Sequence, residues 1–106
     1  MASTNLGKPL FLYSHFTYLN MSNEAFESAV KRSKELTKRP SNEELLKLYA
    51  LYKQATEGDN NEERPGGFDF KGIAKYDAWA ELKGKSADEA KEEYINLVKD
   101  LESKYA

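Results

Sequence analysis

The sequence predicts an all-α fold, a bundle of four helices, from three kinds of observation. Apolar residues recur at helical spacing in four segments, and no segment shows the alternation of a half-buried strand. Capping boxes, in which Ser is followed three residues later by Glu, occur at 41–44 and 86–89. Residues that end helices, namely Pro40, Gly58 and Gly84, separate the segments.

The helix bounds follow from the apolar stripes and these end signals. The four helices are predicted to cover about Ser22–Leu36, Ser41–Glu57, Asp69–Lys83 and Ser86–Tyr105. The stripe of the first helix is formed by Phe26, Ala29, Val30 and Leu36, and Ser33 interrupts it. The stripe of the fourth is formed by Ala90, Tyr94, Leu97 and Leu101.

The links between the helices predict how the helices are arranged. Helices 1 and 2 are joined tightly around Pro40, and helices 3 and 4 around Gly84, so each pair is expected to be antiparallel. The link between helices 2 and 3, GDNNEERPGGF, is long for a bundle. Such a link lets helices 2 and 3 point the same way. The resulting up-down-down-up bundle diverges at one end and forms a bowl.

Composition limits the classes of function. The chain has 106 residues, a net charge of -2, 40% apolar and 32% charged residues, which is typical of one globular domain. It has no cysteine, and therefore no disulfide or thiolate site, and a reducing, cytoplasmic location is expected. His15 is the only histidine, which weakens acid–base and metal proposals. Nucleic acid is not an expected partner of a slightly acidic chain, and no apolar run is long enough to span a membrane.

Residues 1–20 differ from the rest of the chain. They contain no acidic residue, one lysine and several aromatic residues without helical spacing. We expect a poorly ordered N-terminal extension over 1–20, followed by the folded domain over 21–106. The alternative is a weak targeting segment or an aromatic arm that docks on a partner.

The stretch YALYKQAT at 49–56 suggests a binding surface. Tyr49, Tyr52 and Lys53 are spaced to lie along one strip of helix 2, and the helix carries more apolar surface than one core face needs. Either helix 2 is buried on most sides, or one stripe packs and its neighbour lines a cavity. Lys53 favours the second interpretation, because a buried unpaired ammonium is costly.

Further cations and phenols strengthen this interpretation without deciding it. Lys71 and Lys75 lie four apart on helix 3, Lys34 lies on helix 1, and Tyr94 lies in the stripe of helix 4. Each alone is typical of a solvated or core position. Gathered around one mouth, they suit a phosphorylated ligand with an aromatic head group.

The run over 49–90 carries four motifs in order: YKQAT.GD, RPG, DFKG.AK.DAW and LKG.S..EA. With them, the chain resembles the acyl-CoA-binding protein family from about Phe26 to the C-terminus. The resemblance implies a four-helix up-down-down-up bundle that binds acyl-coenzyme A thioesters. It implies no catalysis, no metal and no cofactor beyond the acyl-CoA ligand.

The resemblance also implies roles for nine residues. Tyr49, Lys53 and Lys75 match residues at the 3′-phosphate of coenzyme A. Tyr52 matches the aromatic residue that packs on adenine, and Tyr94 a tyrosine at the nucleotide. The remaining matches are two further ligand-contacting lysines and two positions of the fatty-acyl groove, namely Lys34, Lys71, Leu45 and Leu46. Two positions depart from the family: Tyr76 stands where many relatives have tryptophan, and Ser33 replaces an apolar residue.

The leading functional hypothesis is a carrier of medium- and long-chain acyl-CoA. We expect a monomer that contacts membranes or acyl-CoA-using enzymes only transiently. One alternative is an acyl-CoA hydrolase or transferase, although the bundle offers no Ser-His-Asp or Cys-His set. The other is a helical interaction module that delivers acyl-CoA to a partner enzyme or membrane through its N-terminal extension.

Overall fold

The computed structural model describes residues 22–106, and the extension predicted over 1–20 lies outside them. The described chain is helical over residues 22–33 (α1) and over α2 Asn42–Glu57, α3 Phe70–Ala80 and α4 Ala87–Lys104. Within 22–106 there is no strand. The predicted all-α class is therefore confirmed.

Both predicted capping boxes are present. At the start of α2, the Ser41 hydroxyl accepts from the Glu44 amide at 3.1 Å, and the Ser41 amide donates to the Glu44 carboxylate at 2.9 Å. Ser86 and Glu89 make the same reciprocal pair at the start of α4. Each box satisfies amide groups that the first turn of a helix leaves without a backbone partner.

Two helices end three residues earlier than predicted. After residue 33, Lys34 and Glu35 donate to carbonyls three residues back, and Leu82 and Lys83 do the same after Ala80. These tighter bonds replace the α-helical ones in the last turn. The apolar stripe continues through such a turn, so the sequence pattern alone does not show where the α-helix stops.

Contacts between the helices establish the topology. α4 is antiparallel to α2, since Lys104 donates to Glu44 near the start of α2 and the Lys85 carbonyl accepts from Gln54 near its end. α1 runs parallel to α4, because the low-numbered ends meet at Lys91 and Asn23 and the high-numbered ends at Arg32 and Glu102. α1 is therefore antiparallel to α2.

α3 runs parallel to α2. Lys75 lies over the Tyr49 ring, and one turn further along both helices Lys53 lies over the Trp79 ring. The order is therefore up-down-down-up, as predicted. α2 lies in the middle, with α1 and α4 on one side and α3 on the other.

The core is formed by α1, α2 and α4. Its buried members are Phe26, Ala29, Leu48, Leu51, Ala55, Ala90, Tyr94, Val98 and Leu101. α3 contributes one fully buried large side chain, Trp79, whose indole N–H donates to the Gly58 carbonyl at 2.8 Å. α3 is thus attached to the bundle at its far end, and its first turns are left with more open surroundings.

The long link over residues 58–69 is fixed at two places. The Arg64 guanidinium makes two 2.9 Å hydrogen bonds to the Asp77 carboxylate on α3, which lowers the pKa of Asp77. Asp59 accepts from the Gly84 amide and from Gln54, and these bonds lower the pKa of Asp59. The link therefore holds α3 parallel to α2 at a defined separation.

In the described part of the chain, no helix combines the length and apolar character needed to cross a bilayer.

Candidate functional site

A cavity of about 690 Å³ lies between the first turns of α2 and α3, and we call it the α2–α3 cavity. Its volume is typical of small-molecule sites, which span roughly 300–1,000 Å³. α2 contributes Asn42, Leu45, Leu46 and Tyr49. α3 contributes Phe70, Lys71, Ala74 and Lys75, and Arg39 lies at the link before α2. Five of the nine predicted site residues are therefore brought together here: Leu45, Leu46, Tyr49, Lys71 and Lys75.

The lining of this cavity has one sign of charge. Arg39, Lys71 and Lys75 are cationic, and none of the described lining residues is acidic. None of the three forms an ion pair with any residue in the described range. Lys75 Nζ lies 4.6 Å from the centroid of the Tyr49 ring, an arrangement that holds the ammonium by cation–π attraction. Uncompensated cations beside an apolar wall suit an amphiphilic anion.

Lys53 does not line this cavity and lies one turn along α2 from Tyr49, which does. Its ammonium is 4.9 Å from the centroid of the Trp79 ring and donates to the Glu57 carboxylate one turn along α2. That bond is the main reason why the pKa of Lys53 is raised, so the side chain is firmly cationic at neutral pH. A smaller hollow of about 180 Å³ is lined by Tyr49, Lys75 and Trp79 and also by two acidic residues, Glu62 and Glu63. Lys53 thus contacts the ring of Trp79, which lines this hollow with Tyr49 and Lys75, and its predicted rim position stays a prediction.

Tyr52 lies on the other side of α2, away from the cavity. Its ring is stacked on Phe26 at 6.1 Å and lies 6.4 Å from Tyr94, and the side chain is 40% exposed. It lines a separate hollow of about 490 Å³, the α1–α2 cavity, together with Val30 and Ala55. The strip predicted to hold Tyr49, Tyr52 and Lys53 is therefore divided between two faces of α2.

Tyr94 is a core residue in this structure. Only 4% of its surface is exposed, its ring meets Phe26 edge to face, and burial raises the pKa of its hydroxyl. The hydroxyl donates to Ser33 Oγ at 3.1 Å. Ser33, the residue that interrupts the apolar stripe of α1, is thus the hydrogen-bond partner of a buried phenol. The structure does not bring Tyr94 to the α2–α3 cavity, and its predicted contact with the nucleotide stays a prediction.

Lys34 follows α1 directly and is exposed. It is not among the residues lining the α2–α3 cavity. Its assignment as a ligand-contacting lysine therefore depends on the resemblance alone.

Sequence reasoning missed four lining residues: Arg39, Asn42, Phe70 and Ala74. Phe70 and Ala74 were detectable, because they lie four residues apart on α3 and Ala74 lies three residues after Lys71, a spacing that places side chains on one strip of a helix. Arg39 lies in a non-helical link, for which helical periodicity gives no face. It is held by hydrogen bonds from its guanidinium to the Pro40 carbonyl and the Asn42 side chain.

Metal chemistry finds no support in this site. In the range 22–106, no group of three or more His, Cys, Asp or Glu side chains is placed to hold a metal ion. The side chains that line the cavity supply ammonium, guanidinium, phenol, carboxamide and hydrocarbon groups.

Comparisons with known proteins agree with this architecture. The sequence model of the family described as "Acyl CoA binding protein" matches residues 23–98. The acyl-CoA-binding protein homolog of Drosophila melanogaster is 52% identical over 86 residues, which cover 81% of this chain and 100% of that protein. The acyl-CoA-binding protein of Saccharomyces cerevisiae is also 52% identical, over 81% of this chain and 99% of its own.

Solved structures show the same likeness. The crystal structure of Oryza sativa Acyl-CoA-Binding Protein 2 has a TM-score of 0.75 and 44% identity, covering 78% of this chain and 92% of that one. The solution structure of the yeast acyl-coenzyme A binding protein has a TM-score of 0.62 and 55% identity, covering 76% and 93%. The family match spans well over half of the chain, so this protein belongs to the acyl-CoA-binding protein family.

Proposed function

We propose that the protein binds medium- and long-chain fatty acyl-CoA in the α2–α3 cavity. It acts as a cytoplasmic carrier that maintains an acyl-CoA pool, and it does not catalyse a reaction of its ligand. The observation that carries the proposal is the composition of that cavity. In a member of this family, three cations that have no acidic partner within residues 22–106 lie beside Leu45 and Leu46. One ligand with phosphates at one end and hydrocarbon at the other fits both halves of such a lining.

The head group is proposed to lie toward Tyr49, Lys53 and Lys75. Lys75 is held over the Tyr49 ring, and Lys53 is fixed one turn further along α2, so the cations are positioned before a ligand arrives. Positioning in advance reduces the ordering cost of binding. Lys71 and Lys34 are proposed as further cations for the phosphates. The adenine contact of Tyr52 and the nucleotide contact of Tyr94 stay predictions from the resemblance.

The acyl chain is proposed to follow Leu45, Leu46 and Ala74 toward Phe70. Burial contributes about 0.8 kcal/mol per methylene, so a 16-carbon chain contributes roughly 10 kcal/mol before ordering costs. Free coenzyme A gains only the head-group contacts, and a free fatty acid only the apolar ones. High affinity therefore requires both halves on one molecule.

Carriage rather than turnover is supported by the donor set of the site. A hydrolase or transferase needs an activated nucleophile or an activated water molecule. The described residues that line the cavity include no Ser, Thr, Cys or His, and no Asp or Glu that could act as a base. An acyl-CoA thioester that stays intact during prolonged incubation with the protein is the expected result. The alternative of a module acting through the N-terminal extension is not favoured by the comparisons, and that extension lies outside the described residues.

The proposal is tested by calorimetry with octanoyl-, dodecanoyl- and palmitoyl-CoA. We expect affinity to rise with chain length until the groove is full, and free coenzyme A to bind more weakly than any of the three. An affinity that does not change across the series would contradict the proposed path of the acyl chain. Native mass spectrometry of the purified protein gives an independent readout, a retained acyl-CoA.

A further inference from the structure

Two phenylalanines are displayed to solvent beside the α2–α3 cavity. Phe68 is 90% exposed and Phe70 is 70% exposed, and their ring centroids are 6.1 Å apart in an edge-to-face arrangement. Leaving apolar surface of this size in water is unfavourable, by about 25 cal/mol per Å². A packed pair at a chain turn, rather than a single exposed side chain, indicates an interaction site.

The backbone holds this pair in place. The Phe70 amide donates to the Phe68 carbonyl at 2.9 Å, and Asp69 between them caps α3 by accepting from the Gly72 amide at 3.0 Å. A Cβ at position 72 would lie 2.3 Å from an Asp69 carboxylate oxygen, so glycine permits this close cap. The sequence FDFKG therefore builds a rigid projection rather than a loose loop.

The pair is accompanied by positive charge. Lys71 follows Phe70 directly and is exposed, and Arg39 lines the same cavity as Phe70. Neither forms an ion pair with a described residue. Asp69 is the acidic residue within the projection. One of its carboxylate oxygens accepts a hydrogen bond from the Gly72 amide of α3. The whole chain has a net charge of -2, so this local patch differs in sign from the protein as a whole.

We propose that Phe68, Phe70, Lys71 and Arg39 form a docking surface for anionic phospholipid membranes. Aromatic rings partition into the headgroup region of a bilayer, and each nearby Lys or Arg gains about 1 kcal/mol at an anionic surface. The inference depends on the proposed function, because Phe70 belongs to both the cavity wall and the projection. An acyl chain leaving the cavity past Phe70 enters the bilayer without crossing bulk water. A protein partner would not need the aromatic pair to be contiguous with the cavity.

The test measures partitioning of the full-length, ligand-free protein onto vesicles of phosphatidylcholine with 30% phosphatidylserine (about one anionic lipid in three). Phe68→Ser should lower the partition coefficient roughly tenfold, while Phe68→Trp keeps it, because tryptophan also favours the interface. Lys71→Gln should lower it roughly fivefold and the matched Lys99→Gln on α4 should leave it unchanged. All variants share residues 1–21, so any contribution of that segment cancels.

Calorimetry without vesicles separates this proposal from the proposed function. Phe68 does not line the cavity, so Phe68→Ser should bind dodecanoyl-CoA like the wild type. A loss of that affinity would overturn a separate docking surface, since Phe68 would then belong to the ligand site. Equal vesicle binding by the wild type and Phe68→Ser, or no vesicle binding by the wild type, would also overturn it. Unchanged partitioning with slower delivery to a soluble acyl-CoA-consuming enzyme would point instead to a protein partner.

Discussion

The two faces of α2 are built from similar residues and have different roles. The face toward α1 and α4 carries Leu48, Leu51 and Tyr52. Its neighbours bury Phe26 and Tyr94 and leave the smaller α1–α2 cavity, of about 490 Å³, beside the partly exposed Tyr52. The face toward α3 carries Leu45, Leu46 and Tyr49, and its neighbours leave a cavity of about 690 Å³. Tyrosine and leucine occur on both faces, so residue type alone does not decide how far a face of α2 is covered. The helices that pack against that face decide it.

The two sides of α2 also differ in how particular cations are held. On the α4 side, Lys104 pairs with Glu44 at 2.7 Å, and on the α3 side Lys53 pairs with Glu57. On the α3 side, Lys71 and Lys75 have no carboxylate partner among the described residues. We therefore expect substitutions on the first face to change stability, and substitutions on the second to change affinity.

The largest effect is expected from Phe26→Ala. Phe26 is buried against both Tyr52 and Tyr94, so truncation leaves a cavity in the core and should cost about 3–5 kcal/mol in the free energy of unfolding. Urea denaturation measures this loss. If the alanine variant does not fold, Phe26→Leu, which keeps most of the volume, should cost less than about 1.5 kcal/mol. Dodecanoyl-CoA affinity of the folded leucine variant should stay within about twofold, and a larger loss would show that the two faces are not separate.

Next in size is the loss of affinity in Lys75→Ala and Lys53→Ala. A hydrogen bond to a charged group contributes about 1.5–3 kcal/mol, so each variant should bind dodecanoyl-CoA roughly 10- to 100-fold more weakly in calorimetry. Their unfolding free energies should stay within about 0.5 kcal/mol of the wild type. Lys99→Ala, on the exposed side of α4, is the matched control and should bind normally. Equal losses at all three lysines would indicate nonspecific electrostatics.

A smaller effect is expected from Tyr94→Phe. This change removes the hydroxyl that donates to Ser33 Oγ and keeps the ring in place, so stability should fall by about 1 kcal/mol. Ser33→Ala removes the other partner, and the double variant should lose less than the sum of the two. If Tyr94→Phe also lowers acyl-CoA affinity more than about twofold, the role that the family resemblance gives to Tyr94 is correct and this face takes part in binding.

The smallest expected effect is a change in acid stability in Glu44→Gln. Hydrogen bonds from Lys104, from Tyr105 and from the Ser41 amide lower the pKa of Glu44 from 4.5 to about 2. A carboxylate whose pKa is lower in the folded state stabilises the fold above pH 4.5, and this stabilisation is lost as the pH falls toward 2. Glu44→Gln should therefore lose less stability than the wild type on acidification.

Urea denaturation at several pH values between 4.5 and 2 measures this difference. Glu43→Gln, in the same turn of α2, is the control and should follow the wild type. An equally steep decline for Glu44→Gln would mean that the bonds on the α4 side of α2 do not contribute to acid stability. Acyl-CoA affinity at neutral pH should be the same in all three proteins.

The features that sequence predicts well are local ones. The capping boxes of Ser41 with Glu44 and of Ser86 with Glu89 involve residues three apart in the chain. Their sequence pattern was therefore sufficient to predict where α2 and α4 begin. The length of the link between α2 and α3 allowed these helices to run parallel, and the family resemblance implied that they do. The fixing of that link by Arg64 and Asp77 was not predictable, because it joins residues on two elements whose register is set by the fold.

The features that sequence misses depend on distant partners. Ser33 read as an interruption of an apolar stripe, because its partner Tyr94 lies 61 residues away. Tyr49 and Tyr52 were predicted to lie on one strip of α2, because a spacing of three residues is compatible with a shared face. The spacing does not show that α3 packs beside Tyr49 while α1 packs beside Tyr52. Arg39 was missed because a link before proline has no periodicity that assigns it to a face.

We infer that the acyl chain of the ligand lies on the α3 face of α2 and not on the α1 face. Isotope-filtered NMR on methyl-labelled protein with unlabelled dodecanoyl-CoA tests it most directly, through contacts between acyl methylenes and protein methyl groups. We expect contacts to Leu45, Leu46 and Ala74, which line the α2–α3 cavity. Contacts to Val30 and Ala55 of the α1–α2 cavity instead would contradict it.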